Sequence, residues 1–348
     1  MTNRRWTHRP EGSNWGDFGP DDQLGRLNLI TPEKVRQGVA EVSEGLSFCL
    51  SLPLDKPGGS ALNPRRHPPI LRPTLRGDSV NFLAASEDGA PDVLCDDLAI
   101  IHLQYSTQWD AFSHVGGRFD VDGNGVEEHV FYNGYRAGQD IKGPTDPQDA
   151  GVRAAMKGES TSHAGKLGVE NAAVHGMQGR AVMIDLRAHY GDARTYVGYD
   201  ELMRVLEADK VSVETGDMAV FHTGFAQRIL EMATPDEAVL HGACAVLNGR
   251  DAKLLNWVTD SGVSALISDN YAVEGLPAQP CEHGHTCSNL PLHEHCLFKN
   301  GIPLGELWQL TPLADWLRSH GRSRFLLTAP PLRLPGAVGS PVTPIATV

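Results

Sequence analysis

A chain of 348 residues, 41% hydrophobic and 21% charged, has the composition of a folded globular protein with room for one large core. The net charge is −13, with acids and bases interleaved. The densest basic cluster is only Arg65-Arg66-His67, so no nucleic-acid partner is expected.

No apolar run reaches the ~18 residues of a membrane span, so no membrane partner is expected. The N-terminus shows no apolar signal segment. Six scattered cysteines in a chain of this size read as reduced thiols of a cytoplasmic protein.

In chain order, residues 1–45 read as an N-terminal cap segment ahead of one domain over 46–348. Within the cap, Thr31-Pro32 supplies an N-cap and a first-turn proline for a helix running to about Gly45. Residues 46–54 read as a strand, and 55–95, rich in Pro, Gly and Asn, as a long surface excursion. The apolar run 98–104 reads as a buried strand. Beyond it, 168–177 is short-helical, 179–186, 216–224 and 263–268 are strands, and 200–207 and 248–261 are helices. Strands and helices mixed without a regular βαβ rhythm place the chain in the α/β class.

Four clusters carry possible chemistry. In Gln104-Tyr105-Ser106-Thr107-Gln108-Trp109-Asp110-Ala111-Phe112-Ser113-His114, the even positions share one face if the segment is extended. A carboxylate flanked by amides, with a histidine close by, suits a divalent cation and its activated water. The plainer alternative is a polar strand end whose groups bond one another. Around this segment Trp109, Phe112, Phe119 and Tyr132 either wall a substrate pocket for a flat ring or simply pack the core.

In Pro291-Leu292-His293-Glu294-His295, a helix from about 292 turns His293 inward and leaves Glu294 and His295 to solvent. Glu306 then opens the next element. The run Cys281-Glu282-His283-Gly284-His285-Thr286-Cys287 lacks structural-zinc spacing and reads as a histidine-rich loop over the site. The run Asp120-Val121-Asp122-Gly123-Asn124-Gly125 matches half a calcium loop. Phe131 stands where the bidentate glutamate belongs, so an Asx/Gly turn is expected.

With these residues in view, the chain resembles the cyclase family, which includes bacterial kynurenine formamidase, isatin hydrolase and the trans-dienelactone hydrolase type. The shared pattern H-x-G-T-H-x-D-x-P-x-H is met by residues 104–114, with Gln104 and Gln108 replacing two histidines. The resemblance continues through Gly168-Val169-Glu170-Asn171, Gly179-Arg180, Ile184-Asp185, Gly216-Asp217, Thr223-Gly224, Asp269-Asn270, Glu274, Pro291-Leu292-His293 and Gly305-Glu306, over about residues 18–315.

The resemblance implies a swivelling β/β/α fold, assembly as a homodimer or homotetramer, and hydrolysis of a small molecule at a carbon–nitrogen or lactone bond. Carried over by position, it implies a metal held by Gln104, Gln108, Asp110, His293 and Glu306, with His114 and Asp110 in catalysis. Family members bind Zn²⁺ or Mn²⁺. A glutamine amide is a neutral, weak oxygen donor, so this set moves preference toward Mn²⁺ or Mg²⁺, or toward no metal. The leading expectation is a hydrolase of a cyclic amide, aryl-formamide or lactone. The alternatives are a metal-free lyase or isomerase on the same scaffold and an inactive small-molecule binding protein.

Overall fold

Apolar runs of four to eight residues form the centre of the computed structural model, which describes residues 5–82, 84–85, 90–150, 160–281 and 287–348. Among these residues, nine strands make one mixed sheet. They are β1 (Ser47–Cys49), β2 (Gln108–Asp110), β3 (Gln178–Asp185), β4 (Met218–His222), β5 (Ala265–Ser268), β6 (Leu304–Glu306), β7 (Arg324–Thr328), β8 (Gly339–Pro341) and β9 (Ile345–Thr347). Their spatial order is β1-β9-β7-β3-β4-β5-β6-β2-β8.

Strands β3 to β6 run parallel, and both flanks are antiparallel. Every residue of β4 and β5 is buried. That is why these strands read as continuous apolar runs: both faces of a parallel sheet are covered. Alternate side chains separate into two cores. Ile184, Phe221 and Leu266 pack on one face, and Met183, Val220 and Ile267 on the other.

The covering helices are α1 (Pro32–Ala40), α2 (Tyr199–Ala208), α3 (Ala252–Asp260), α4 (Pro291–His293, continued by a wide turn over Glu294–Asn300) and α5 (Thr311–Ser319). The α1 cap is as expected, with Thr31 accepting from the Lys34 N–H. The helix stops at Ala40 rather than Gly45, because the N–H groups of Glu44 and Gly45 turn to the Val348 carbonyl beside the sheet edge. Gly38 lets α1 lie against β3, since a Cβ there would fall 2.8 Å from Arg180 N.

Two sequence expectations need correction, and a third is met. The run 98–104 is not a buried strand. Asp97–Ile100 pairs with Ile70–Pro73 in a hairpin of the surface excursion and is largely exposed. A short apolar run does not specify its partner, and here that partner lies outside the main sheet. The cysteines are not all reduced, because Cys281 and Cys287 form a disulfide. The residues they bracket, 282–286 with His283 and His285, lie outside the described residues. The third concerns 120–125, where the turn expected in place of a calcium loop is found: Asp120 accepts from the Asn124 and Gly125 N–H groups. No helix among the described residues is long and apolar enough to cross a membrane.

A buried ion cluster locks α1 to β3 and β4. Asp217, fully buried, accepts from Lys34 Nζ at 3.0 Å and from Arg180 Nε at 2.9 Å and Nη2 at 3.0 Å. Replacing Asp217 with alanine leaves Lys34 and Arg180 only the half-exposed Glu214 as counter-charge. Asp217→Ala is expected to cost about 3–5 kcal/mol, read from the urea midpoint at unchanged slope.

Candidate active site

The site grows from the pairing of β2 with β6. Their antiparallel register sets Gln108 opposite Glu306 and Asp110 opposite Leu304. With period-two alternation, Gln108, Asp110 and Glu306 share one face, and Gln108 Nε2 donates to Glu306 Oε2 at 3.0 Å. Trp109 points the other way. It meets Trp308 edge-on at 5.1 Å and donates to the Ala329 carbonyl.

The chain leaves β6 through Leu307 in a left-handed conformation (φ 58°), with its N–H on the Asn270 carbonyl. Ala272 (φ 75°) and Val273 (φ 58°) are left-handed too. A β-branched residue is rare there, and such strain is kept where it aims functional groups. Here the flanking residues are Tyr271 and Glu274.

Glu274 fixes the third element. It accepts from the Leu292 and His293 N–H groups at 3.0 Å each and from His293 Nδ1 at 2.8 Å. His293 Nε2 is thereby directed to Glu306 Oε1 at 3.3 Å and Asp110 Oδ2 at 3.8 Å. As the sequence suggested, α4 carries His293 inward. His295, expected in solvent, is buried and bonded to Thr259 Oγ1, because the wide turn after His293 swings it back against α3.

Gln104 and His114 are not on the strand. Only Gln108–Asp110 is in the ladder, so the single extended face expected for residues 104–114 is corrected. Turns on either side bring the two ends together: Gln104 Nε2 lies 3.1 Å from His114 Nδ1, and His114 Nε2 lies 3.9 Å from Asp110 Oδ1. Gly339 on β8 makes space for this, as a Cβ there would meet Gln104 Nε2 at 2.7 Å.

The aromatic residues expected near the site fall in two groups. Trp109 and Phe112, together with Leu27, Leu167 and Met177, border a mainly apolar recess that reaches the site strand at Asp110. Tyr132 packs inside the core against Phe112, and the partly buried Phe119 packs onto it against Trp15.

Electrostatics separates the two carboxyls. Burial raises the pKa of Asp110, with His114 opposing and Glu306 reinforcing the shift. Burial also works against ionised Glu306, but the hydrogen bond and charge of His293 outweigh it and hold that carboxyl low. Burial disfavours charged His293 as well, yet hydrogen bonds and charge from Glu274 and Glu306 lift it to about 10.

The donor set fits a divalent cation. Gln108 Oε1 and both Asp110 carboxylate oxygens are buried without any hydrogen-bond partner, a costly state that a ligand relieves. Asp110, His293 and Glu306 each offer a ligand atom within 4.8 Å of the others. Glu274 behind His293 supplies the outer support usual for a metal-binding imidazole. The Gln104 amide faces His114 instead.

Sequence reasoning noted Glu274 only as part of a pattern, and it missed Arg66, Asn63 and Tyr271 altogether. These come from the 55–95 excursion and the loop after β5. Asn63 Nδ2 donates to Tyr271 Oη at 2.9 Å, and Arg66 Nη1 donates to the Gln104 carbonyl at 2.7 Å. The signal available in the sequence was the Arg65-Arg66 pair in the surface excursion.

The Cyclase family model matches residues 50–275. A solved structure described as a novel cyclase is 29% identical, with a TM-score of 0.73 over 97% of this chain and 97% of that one. Isatin hydrolase A from Labrenzia aggregata, bound to benzyl benzoate, is 13% identical, with a TM-score of 0.52 over 90% of this chain and 97% of that chain, a likeness of fold. No curated protein matches the chain.

In chelator-treated protein His293 is expected to stay protonated until pH rises through about 10. Its folded value lies above the ordinary 6.5, so the stability it brings is fully present below pH 6.5 and lost as pH climbs toward 10. Ring-nitrogen NMR reads the titration directly. In Glu274→Gln the transition should move down, whereas an unmoved transition would remove Glu274 as its cause.

Proposed function

The chain belongs to the Cyclase family, and from that premise we propose that it is a metal-assisted hydrolase of a cyclic amide, aryl-formamide or lactone. The observation that carries this reading is the pair of bare buried Asp110 oxygens within ligand distance of His293 and Glu306, beside the equally bare Gln108 Oε1. Asp110, Glu306, His293 and Gln108 would hold the ion, and an oxygen-rich set with one imidazole favours Mn²⁺ or Mg²⁺ over Zn²⁺. Once bound, such an ion supplies Lewis acidity to a water and a carbonyl.

The chain's own groups do the rest. His114, beside Asp110 and partly exposed, takes the proton of the attacking water at Nε2 and returns it to the departing nitrogen or oxygen. Water oxygen bonds to the carbonyl carbon as the C–N or C–O bond breaks, leaving a carboxylate with an amine or alcohol. For Nε2 to accept, Nδ1 must carry the ring hydrogen and donate it to the Gln104 amide oxygen, the flipped orientation of the amide that lies 3.1 Å from Nδ1. Gln104 is thus a positioning residue for the His114 tautomer. Glu274 holds His293 with Nε2 turned to the site.

The test combines elemental analysis of purified protein with turnover of isatin, N-formylkynurenine and simple lactones, with and without EDTA. Stoichiometric metal and EDTA-sensitive hydrolysis are expected. His114→Ala should lower kcat by about 10²–10⁴-fold with the fold intact by circular dichroism, and near-normal turnover would remove its role. Gln108→His should shift metal preference toward Zn²⁺, measured by competition between Zn²⁺ and Mn²⁺. Turnover without metal would instead favour the metal-free lyase or isomerase alternative, and ligand binding without turnover the inactive binding protein.

A further inference from the structure

Beside the carboxyl cluster lies a small recess open to solvent, walled by Asn63, Arg66, Gln104, Tyr105 and Tyr271. We infer that this recess is a carboxylate-binding subsite, and that the substrate carries a carboxylate close to its scissile carbonyl. The inference rests on the hydrolase reading for the reaction, but the subsite itself stands on its own geometry.

Among the polar side chains that wall the recess, Arg66 and Tyr271 keep donors free. Arg66 spends Nη1 on the Gln104 carbonyl, and among the described residues it forms no ion pair, leaving the rest of its fork unclaimed. Tyr271 Oη accepts from Asn63 Nδ2, which leaves its own hydrogen for an acceptor. Burial raises the Tyr271 pKa, so it keeps that hydrogen. Tyr105 spends its hydrogen on the carbonyl of Gly59, another residue of the lining, and Asn63 Oδ1 is taken by the Arg65 N–H. What remains is a guanidinium and a hydroxyl, both donors. An acceptor-only planar anion matches them, and Arg pairs with carboxylates two-pronged.

The recess is also built in advance. Asn63 is buried, and its carbonyl accepts from the Arg66 N–H at 3.0 Å, closing a tight turn. The charge of Arg66 reaches the reaction centre, favouring ionised Asp110 and ionised Glu306. Gln104 links the two regions. Its carbonyl holds Arg66 and its amide holds His114, so an anion on Arg66 lies one residue from the proton-moving group.

The experiment uses two arms. In the first, benzoate binding to the full-length protein is measured by calorimetry, with no turnover required. Arg66→Met and Tyr271→Phe should each weaken it, Arg66→Met by roughly tenfold to a hundredfold. Arg66→Lys, which keeps charge but loses the fork, should fall between. In the second, N-formylanthranilate is compared with formanilide, which differs only by the carboxylate. The wild-type kcat/KM ratio should favour the carboxylate by roughly tenfold or more, and in Arg66→Met the ratio should collapse toward one, mainly through KM.

Equal kcat/KM for the two substrates in wild type, with hydrolysis otherwise sound, would overturn the subsite and leave the hydrolase reading intact. Arg66-dependent benzoate binding without hydrolysis of either compound, nor of isatin or simple lactones, would uphold the subsite and sink the hydrolase reading. Inorganic phosphate binding as tightly as benzoate would overturn the choice of a carboxylate.

Discussion

The register between β2 and β6 is the constraint on which the site depends. It places Gln108 against Glu306 and puts Asp110 on the same face, while Trp109 falls on the opposite face against Trp308. Because side chains alternate along a strand, a slip of one residue would bury the acids in the apolar core and push the indole into the site. The indole contacts therefore hold the site as much as the polar ones do. Trp109 and Trp308 bond to the Ala329 and Gln108 carbonyls, and Thr107 accepts from the Leu52 N–H while donating to the Leu307 carbonyl.

On that frame the protein gathers Asp110, Glu306 and Glu274 around His293 with little water. Three buried carboxyls repel one another unless something cationic or protonated intervenes. In the chain alone that role falls to the His293 imidazole, squeezed between Glu274 and Glu306. The unsatisfied oxygens of Asp110 and Gln108 mark where the balance is incomplete. Incomplete balance at a buried, strained and glycine-relieved spot is what a ligand site looks like before its ligand is considered.

Much of this was legible in the sequence. The apolar runs of β3, β4 and β5 could be read because strands covered on both faces need continuous hydrophobic residues. The α1 start was legible from Thr31-Pro32, and the false calcium loop from a missing glutamate. The 98–104 strand misled, since an apolar run looks the same in a surface hairpin and in a central sheet. Residues 104–114 were recognised as a unit, yet their geometry was not a single strand face. The turns that fold Gln104 onto His114 leave no periodic signal. The Arg65-Arg66 pair was the one local mark of Arg66 and nothing marked Tyr271, because their meaning arises only where two distant loops converge.

The sequence by itself determined the fold class, the family and most of the residues that meet at the site, because strand periodicity, caps and an ordered series of motifs are local and survive as patterns. Only the tertiary structure decided how those residues are used. It turned Trp109 away from the site, gave His293 a carboxylate on each side, set Gln104 on His114, and left Arg66 and Tyr271 as donors beside a recess. Those outcomes depend on which strands pair and which loops meet, and a one-dimensional pattern does not encode distances between segments two hundred residues apart, such as Arg66 and Tyr271.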